Sequence, residues 1–356
     1  MTLPSLFLIS IACSLVVATL LPFASRSEWW IRDFDFPRTQ ILLLSMLMFF
    51  LYLVVYQGHW YDSVTILLLL LVIFWQLKKI LPFTPLYNLE VLLVKEPEVS
   101  RQISVMVSNV LMTNEKTTKL RKMIEKIQPD IFLTLETNQY WEDELASLEK
   151  TYEYVVRCPQ DDLYGMHLYS KLELVNPEIQ FLIEDDIPSI HTGVVLPSGE
   201  EVMLHCLHPA PPSPTENEKS IERDAELVIV AKRVRNEQLP SIVTGDLNDV
   251  AWSETTLLFR KISGLLDPRI GRGLYNTFHA RYWFLRWPLD HLFHSSNFSL
   301  VELRRLGYIG SDHFPIFCKL QYMANITREQ DAPEPERKDK KVAEKKLVEV
   351  KLNPSN

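Results

Sequence analysis

The chain has 356 residues, enough for one or two domains, and carries a formal net charge of -8. That balance excludes a non-specific nucleic-acid coat, which works through net positive charge, but not an enzyme that grips one phosphodiester. Hydrophobic residues make up 47% of the chain and crowd before residue 83; the four cysteines show neither metal-ligand spacing nor a disulfide framework.

The first 83 residues predict a membrane anchor of three transmembrane helices. Leu3 to Phe23 is almost free of charge and long enough to cross about 30 Å of hydrocarbon. Ile41 to Tyr56 and Val64 to Leu77 are shorter and span only with their flanking residues at the interface. Trp29, Trp30, Trp60 and Tyr61 fall between the runs, where interfacial aromatics belong. A cleaved signal peptide is the rival reading of the first run, which lacks a basic segment before it. Arg26, Arg32 and Arg38 lie in the first connection, and Lys78 and Lys79 follow the third run. The positive-inside rule then puts the C-terminal domain in the cytoplasm.

Residues 84–100 read as a linker, and 101–322 as the globular domain. Ile103, Val105 and Val107 alternate with Ser104, Met106 and Ser108, which predicts a half-buried strand. Leu120, Met123, Ile124 and Ile127 recur at helical spacing until Pro129. Ile131 to Leu135 predicts a buried strand, and Val202, Leu204 and Cys206 another. Glu216 to Asn236 reads as an amphipathic helix, whose Arg223 either pairs with the site or, the favoured reading, lies on a solvated face, and Ser241 to Thr244 reads as a strand. Strands alternating with helices indicate a layered α/β domain. Residues 323–356 turn polar and charged, which predicts a disordered tail.

The chemistry-bearing residues collect where apolar runs end, and strand ends are where sites form in layered α/β domains. Asn109 follows Val105 to Ser108, Glu136 follows Ile131 to Leu135, and His208 follows Val202 to Leu207. Asp246 and Asn248 sit in Gly245-Asp246-Leu247-Asn248. Asp290 precedes His291 and Leu292, and Asp312 and His313 sit in Gly310-Ser311-Asp312-His313-Phe314-Pro315. Carboxylates and amide oxygens suit Mg²⁺ or Mn²⁺, and an imidazole suits proton transfer or phosphate contact. Taken singly, Asn109 reads equally as a cap, the Gly-Asp-Leu-Asn run as a turn and His291 as structural. His205 reads as a packed strand histidine, and Ser170 lacks the glycine-framed elbow of a serine hydrolase.

The order of these segments resembles the endonuclease/exonuclease/phosphatase superfamily, the deoxyribonuclease I-like fold, over about Ile103 to Leu320. Leu207-His208-Pro209, Arg223-Asp224 and Trp252-Ser253 resemble its bacterial membrane-anchored branch. The resemblance implies a four-layer sandwich of two packed β-sheets between helices. It implies Mg²⁺- or Mn²⁺-dependent hydrolysis of a phosphodiester, lipid-derived or nucleic acid, at a bacterial inner membrane. It assigns Glu136 as principal metal ligand, with Asn109 and Asp312 completing or adjoining the shell. Asp246 would orient or deprotonate the water, Asn248 hold the phosphate, His313 contact it with Asp290 behind, and His208 stabilise its charge. Leu207 stands where the family commonly has Thr, a departure that bears on His208. A catalytically silent phosphate-binding scaffold at the membrane is the alternative of another class. Exposed apolar residues between site and membrane favour a lipid substrate, and Tyr282, Trp283, Phe284 and Trp287 are the candidates, with ordinary core packing the equal alternative for them; a basic strip favours nucleic acid.

Overall fold

The computed structural model describes residues 3–24 and 26–352. The N-terminal region folds into α1 (Leu3–Leu20), the short α2 (Trp29–Arg32), α3 (Arg38–Val54) and α4 (Trp60–Ile80). Leu3–Phe23 and Trp60–Phe83 are long and apolar enough to cross a membrane. The stretch containing α2 and α3 meets that standard only as a bent pair with a 65° break. Pro37 caps α3 at the break, where its fixed φ and missing N–H interrupt the helical ladder. The expected three spans therefore become two helices of spanning length, and a third only if the bent pair counts as one.

A buried polar chain ties these helices together at the end facing the domain. Arg38 donates to Gln76 at 3.2 Å, and Gln76 donates to Thr19 at 3.0 Å. Arg38 also pairs with Asp35. At the far end Tyr52 donates to Asp62 at 2.8 Å.

The domain is built on β1 (Gln102–Asn109), β2 (Ile131–Leu135), β3 (Tyr154–Cys158), β4 (Met166–Ser170), β5 (Leu174–Phe181), β6 (Pro188–Val195), β7 (Glu201–Leu207), β8 (Ser241–Asp246), β9 (Asp290–His294), β10 (Phe298–Arg305) and β11 (Ile316–Tyr322). They form a six-stranded sheet in the order β10-β11-β1-β2-β4-β3 and a five-stranded sheet in the order β5-β6-β7-β8-β9. The sheets pack face to face. Val105, Val107, Leu133 and Leu135 of the first meet Leu204, Cys206, Ile242 and Leu292 of the second in one core.

Strand alternation sends the intervening residues outward to the helices. Met106 and Phe132 pack with Leu120, Ile124 and Trp141 of α5 (Thr117–Ile127) and α6 (Gln139–Leu145). Val243 and Phe293 pack with Leu227, Ala231 and Phe259 of α7 (Ile221–Asn236) and α8 (Glu254–Ser263). The result is the expected four-layer sandwich. One detail differs: β1 is buried on both faces rather than one, because α5 and α6 cover the face that Ser104, Met106 and Ser108 occupy.

Three further boundaries differ from the sequence reading. Residues 84–100 are not a free linker: Val91 lies in the inter-sheet core, and Leu92 to Val94 pairs along β10 through bonds of 2.9 and 3.0 Å to Leu300. The helix expected from Glu216 starts at Ile221, because Glu218 and Ser220 bond instead to Trp29 and Ser27 of the anchor. The tail expected to be disordered contains α9 (Arg337–Leu352). Ala343 is fully buried beside α7 and α8, with Leu347 packed against the same cluster. Lys346 reaches Asp224 at 2.5 Å and Lys261 reaches Asp339 at 3.1 Å.

Candidate active site

Two parallel strand pairs decide where the polar residues meet. β1 pairs in parallel with β2, with Asn109 beside Leu135, so Asn109 and Glu136 leave the first sheet together. β7 pairs in parallel with β8, with Leu207 beside Gly245, so His208 and Asp246 leave the second sheet together. The two pairs face one another across the sandwich. Gly245 at φ 141° permits their close approach within the second sheet; a Cβ there would lie 1.9 Å from the Leu207 carbonyl oxygen.

Two site residues hold a left-handed backbone that L-residues avoid: Glu136 at φ 59° and Asn248 at φ 51°. Such a conformation costs about 1–2 kcal/mol and persists only where its surroundings enforce it. Beside Glu136, Thr137 donates to the Gly165 carbonyl at 3.0 Å. Asn248 is braced by its side chain, which donates to the Pro209 carbonyl at 3.0 Å.

Asn109 donates to Glu136 Oε1 at 2.6 Å and to Asp246 Oδ2 at 3.2 Å, and so joins the carboxylates of the two sheets. Its own Oδ1 accepts the Leu111 N–H at 3.1 Å. Asp246 Oδ1 accepts the Asn248 N–H at 3.0 Å. His313 Nδ1 bonds Asp290 Oδ2 at 2.7 Å, and its Nε2 lies 3.5 Å from Asp246 Oδ2. The His313 N–H donates to Ser311 Oγ at 3.0 Å, which sets the turn carrying the ring. Asp312 is half-buried beside the cluster, and its carbonyl accepts the Ala280 N–H at 2.6 Å.

Burial and charge divide the labour among these groups. Burial opposes a charge on His313, but Asp290 and Asp246 outweigh it and hold the imidazolium up to about 10. Burial also opposes the Asp246 carboxylate; the positive His313, with His208 and the Asn248 N–H, keeps its pKa below the usual range. Burial first, with His313 adding to it and Asp246 and Asp162 only partly opposing, lowers His208 to about 4, a neutral ring whose Nδ1 has no partner among the described residues. Glu136 is pushed up to about 7 by burial, only partly offset by Asn109 and His313.

Glu136 Oε2 is buried and has no hydrogen-bond partner among the described residues. A desolvated carboxylate oxygen in an acidic cluster suits a hard cation, so the donor set fits Mg²⁺ or Mn²⁺. Asp246, Asp290 and His313 also place ligand atoms within 4.8 Å of one another, and Asp290 Oδ1 is likewise buried and unpartnered among the described residues.

The structure therefore brings Asn109, Glu136, Asp246, Asp290 and His313 into one bonded cluster, with Asn248, His208 and Asp312 at its edge. His291 lies outside it, fixed between Arg269 at 2.7 Å and the Asp249 carbonyl at 2.9 Å. His205 is a packed strand histidine, between His191 at 2.8 Å and Glu237 at 3.0 Å. Arg223 corrects the solvated-face reading and leaves the other, a contact with the site. It is only 2% exposed, pairs with Asp224 at 3.0 Å and donates to the Asn248 carbonyl at 2.7 Å. Its neighbour Asp224 was the available signal, since adjacent opposite charges on a helix packed at a strand end suit a buried pair. Phe278, unremarked in the sequence, packs on the His313 ring at 4.9 Å between centroids.

A four-layer sandwich with this cluster at the carboxyl ends of its parallel pairs defines the deoxyribonuclease I-like class of fold. Residues 106–313, more than half of the chain, match the Endonuclease/Exonuclease/phosphatase family, and the chain belongs to that family. Among solved structures, D. rerio TDP2 complexed with single strand DNA product is similar at 16% identity and a TM-score of 0.51, over 62% of this chain and 99% of that one. The human Nocturnin catalytic domain with bound sulfate is similar at 19% identity and a TM-score of 0.51, over 63% and 94%. A functionally unknown conserved protein from Enterococcus faecalis V583 is similar at 14% identity and a TM-score of 0.50, over 62% and 100%. No curated protein matches the chain.

Proposed function

We propose that this chain is a membrane-anchored, Mg²⁺- or Mn²⁺-dependent phosphodiesterase with its domain in the cytoplasm. The observation that carries the hydrolytic reading is the unpartnered, buried Glu136 Oε2 beside the Asp246–His313–Asp290 array. A cation held by Glu136, with Asn109 and Asp312 adjoining, neutralises phosphate charge and steadies the leaving oxygen when bound. His313, already charged, donates Nε2–H to a phosphate oxygen and is not the base. Asp246 stays ionised and takes the proton of the attacking water. Asn248 and the free Nδ1 of His208 fix the remaining phosphate oxygens.

A lipid-derived phosphodiester is the favoured substrate class. The loop after Phe278 bonds to the Asp312 carbonyl through Ala280 and then exposes Tyr282, Trp283 and Phe284. Trp283 is 79% exposed, and the Phe284 carbonyl accepts a 2.8 Å bond from Gln40 in the first turn of α3. An aromatic tip tethered to an anchor helix belongs at the membrane–water boundary. Nucleic acid is the second reading, favoured by Arg286 and Arg305, which stack on Phe314 beside His313.

The test is hydrolysis of bis-p-nitrophenyl phosphate by the detergent-solubilised chain, with Mg²⁺ or Mn²⁺, against Glu136→Ala and His313→Ala. Metal-dependent turnover lost in both variants supports the reading. Folded protein that binds phosphate but turns over neither this substrate, phospholipid nor DNA favours the silent scaffold instead.

A further inference from the structure

A cavity of about 580 Å³ lies where the anchor, the helices of the second sheet and the C-terminal helix meet. Its volume suits a small-molecule ligand. Phe23 at the end of α1, Trp75 near the end of α4 and Arg38 at the start of α3 form its anchor wall. The Phe23 and Trp75 rings pack at 4.7 Å. Leu258 of α8 and Val342 of α9 line it opposite.

Six cationic side chains line this cavity: Arg26 pairs with Glu28, Arg38 with Asp35, and Lys261, Lys345 and Lys346 with acids around it, which leaves Arg32 without an ion pair among the described residues. The four acids around it already have partners. Asp224 pairs with Arg223 and Lys346, Asp339 with Lys261, Glu254 with Lys79, and Glu349 with Lys345. Three N–H donors on the anchor wall do not: Arg32 Nε, Arg38 Nε and Trp75 Nε1 are buried and unpartnered among the described residues. Arg38 is only 2% exposed, and its two terminal nitrogens are held by Gln76 and Asp35. Buried donors left unpaired are expensive, and charged ones more so. The missing group is thus an anionic, acceptor-only ligand with an apolar flank.

We propose that this cavity binds the phosphodiester headgroup of an anionic phospholipid, seated where the membrane-spanning helices enter the domain. The phosphate faces Arg32, Arg38 and Trp75, and the glycerol and upper acyl carbons lie along Phe23, Leu258 and Val342. The proposal rests on the membrane reading of the first 83 residues and is independent of the hydrolytic site.

Native mass spectrometry of the full chain, released from nanodiscs of phosphatidylglycerol or phosphatidylcholine, tests it. Phosphatidylglycerol should be retained, phosphatidylcholine should not, and Arg32→Gln should weaken retention about 10-fold, the loss of one charge-assisted hydrogen bond. Trp75→Phe should weaken it less, with melting in detergent unchanged for both variants. Equal retention of the two lipids, or equal binding by wild type and Arg32→Gln, overturns the site. Competition by inorganic phosphate at the concentration of the lipid overturns the lipid as its source. Alkaline carbonate extraction separates the two readings: a chain that stays in the membrane yet retains no phosphatidylglycerol sinks this site alone, whereas a chain that is released sinks the anchor.

Discussion

Asp290 Oδ2 lies 2.7 Å from His313 Nδ1, and this bond fixes both the orientation and the charge of the imidazole. Asp290 is itself fully buried, and its backbone N–H donates to Thr277 at 3.2 Å, so the pair has no freedom to reorient. Asp290→Asn keeps the shape and removes the charge that holds His313 protonated. We expect kcat to fall about 10²-fold or more with KM little changed. Steady-state kinetics on bis-p-nitrophenyl phosphate check this; an unchanged kcat would remove His313 from the reaction.

Glu136→Gln should separate activity from stability. The amide cannot seat a cation as the carboxylate does, so turnover with Mg²⁺ or Mn²⁺ should drop at least about 10³-fold. Without metal the same change removes a buried carboxylate raised to about 7, so the metal-free melting temperature should hold or rise. A lower metal-free Tm would show that Glu136 serves the fold and not the ion.

Gly245→Ala should destabilise the domain by several kcal/mol. The added Cβ meets the Leu207 carbonyl oxygen at 1.9 Å, and the φ of 141° is strained for any side chain. Overpacking of this kind costs about 1–3 kcal/mol before the backbone penalty is added. Urea denaturation of the detergent-solubilised chain measures it, and a midpoint within error of wild type contradicts the tight β7–β8 approach.

The exposed loop tip offers a test of substrate class. Replacing both Trp283 and Phe284 with Ser should leave hydrolysis of a soluble diester intact, because neither side chain touches the bonded cluster. Hydrolysis of a diester presented in vesicles should fall about 10-fold. Equal loss on both substrates would mean that the loop shapes the site and does not meet the bilayer.

Acid should destabilise the second sheet through His191. Burial first, with His205 and Arg233 adding to it, lowers its pKa to about 3, while the unfolded chain titrates near 6.5. The unfolded state therefore binds the extra proton between those values. The stabilisation is complete above pH 6.5 and is lost as pH falls toward 3, at up to about 1.4 kcal/mol per unit. Melting of wild type and His191→Gln between pH 7.5 and 5 checks the sign: the gap between them should narrow as the solution is acidified.

Much of this was legible before any coordinates. Alternation in Ile103 to Val107 and the apolar run Ile131 to Leu135 marked strands that proved central, and their ends carried Asn109 and Glu136. The second face of β1 was not legible, because Ser104 and Ser108 look solvated until Asp130 accepts from Ser104 at 2.7 Å and helices close over them. Arg223 was misread for a related reason. Helix α7 is buried over most of its circumference, so Arg223 and Asp224, which would mark a solvent face in an amphipathic helix, are here an interior ion pair. The C-terminal helix escaped notice because its apolar contacts to the second-sheet helices are few, Ala343 and Leu347 among them, and it is also held by ion pairs, Lys346 to Asp224 and its own Asp339 to Lys261. Hydrophobic patterning is blind to a helix docked by charge.

The stitches between anchor and domain have one last consequence. Trp252 donates its indole N–H to the Asp35 carbonyl at 2.7 Å, and Gly271 donates to the Pro82 carbonyl at 2.8 Å. A domain clamped in this way cannot swivel on a leash. On the proposed reading its catalytic mouth patrols a fixed altitude above one leaflet, so encounter becomes a search in the plane of the bilayer. Turnover would then follow the surface density of substrate, and adding bulk solution at constant lipid composition would leave the rate per enzyme unchanged.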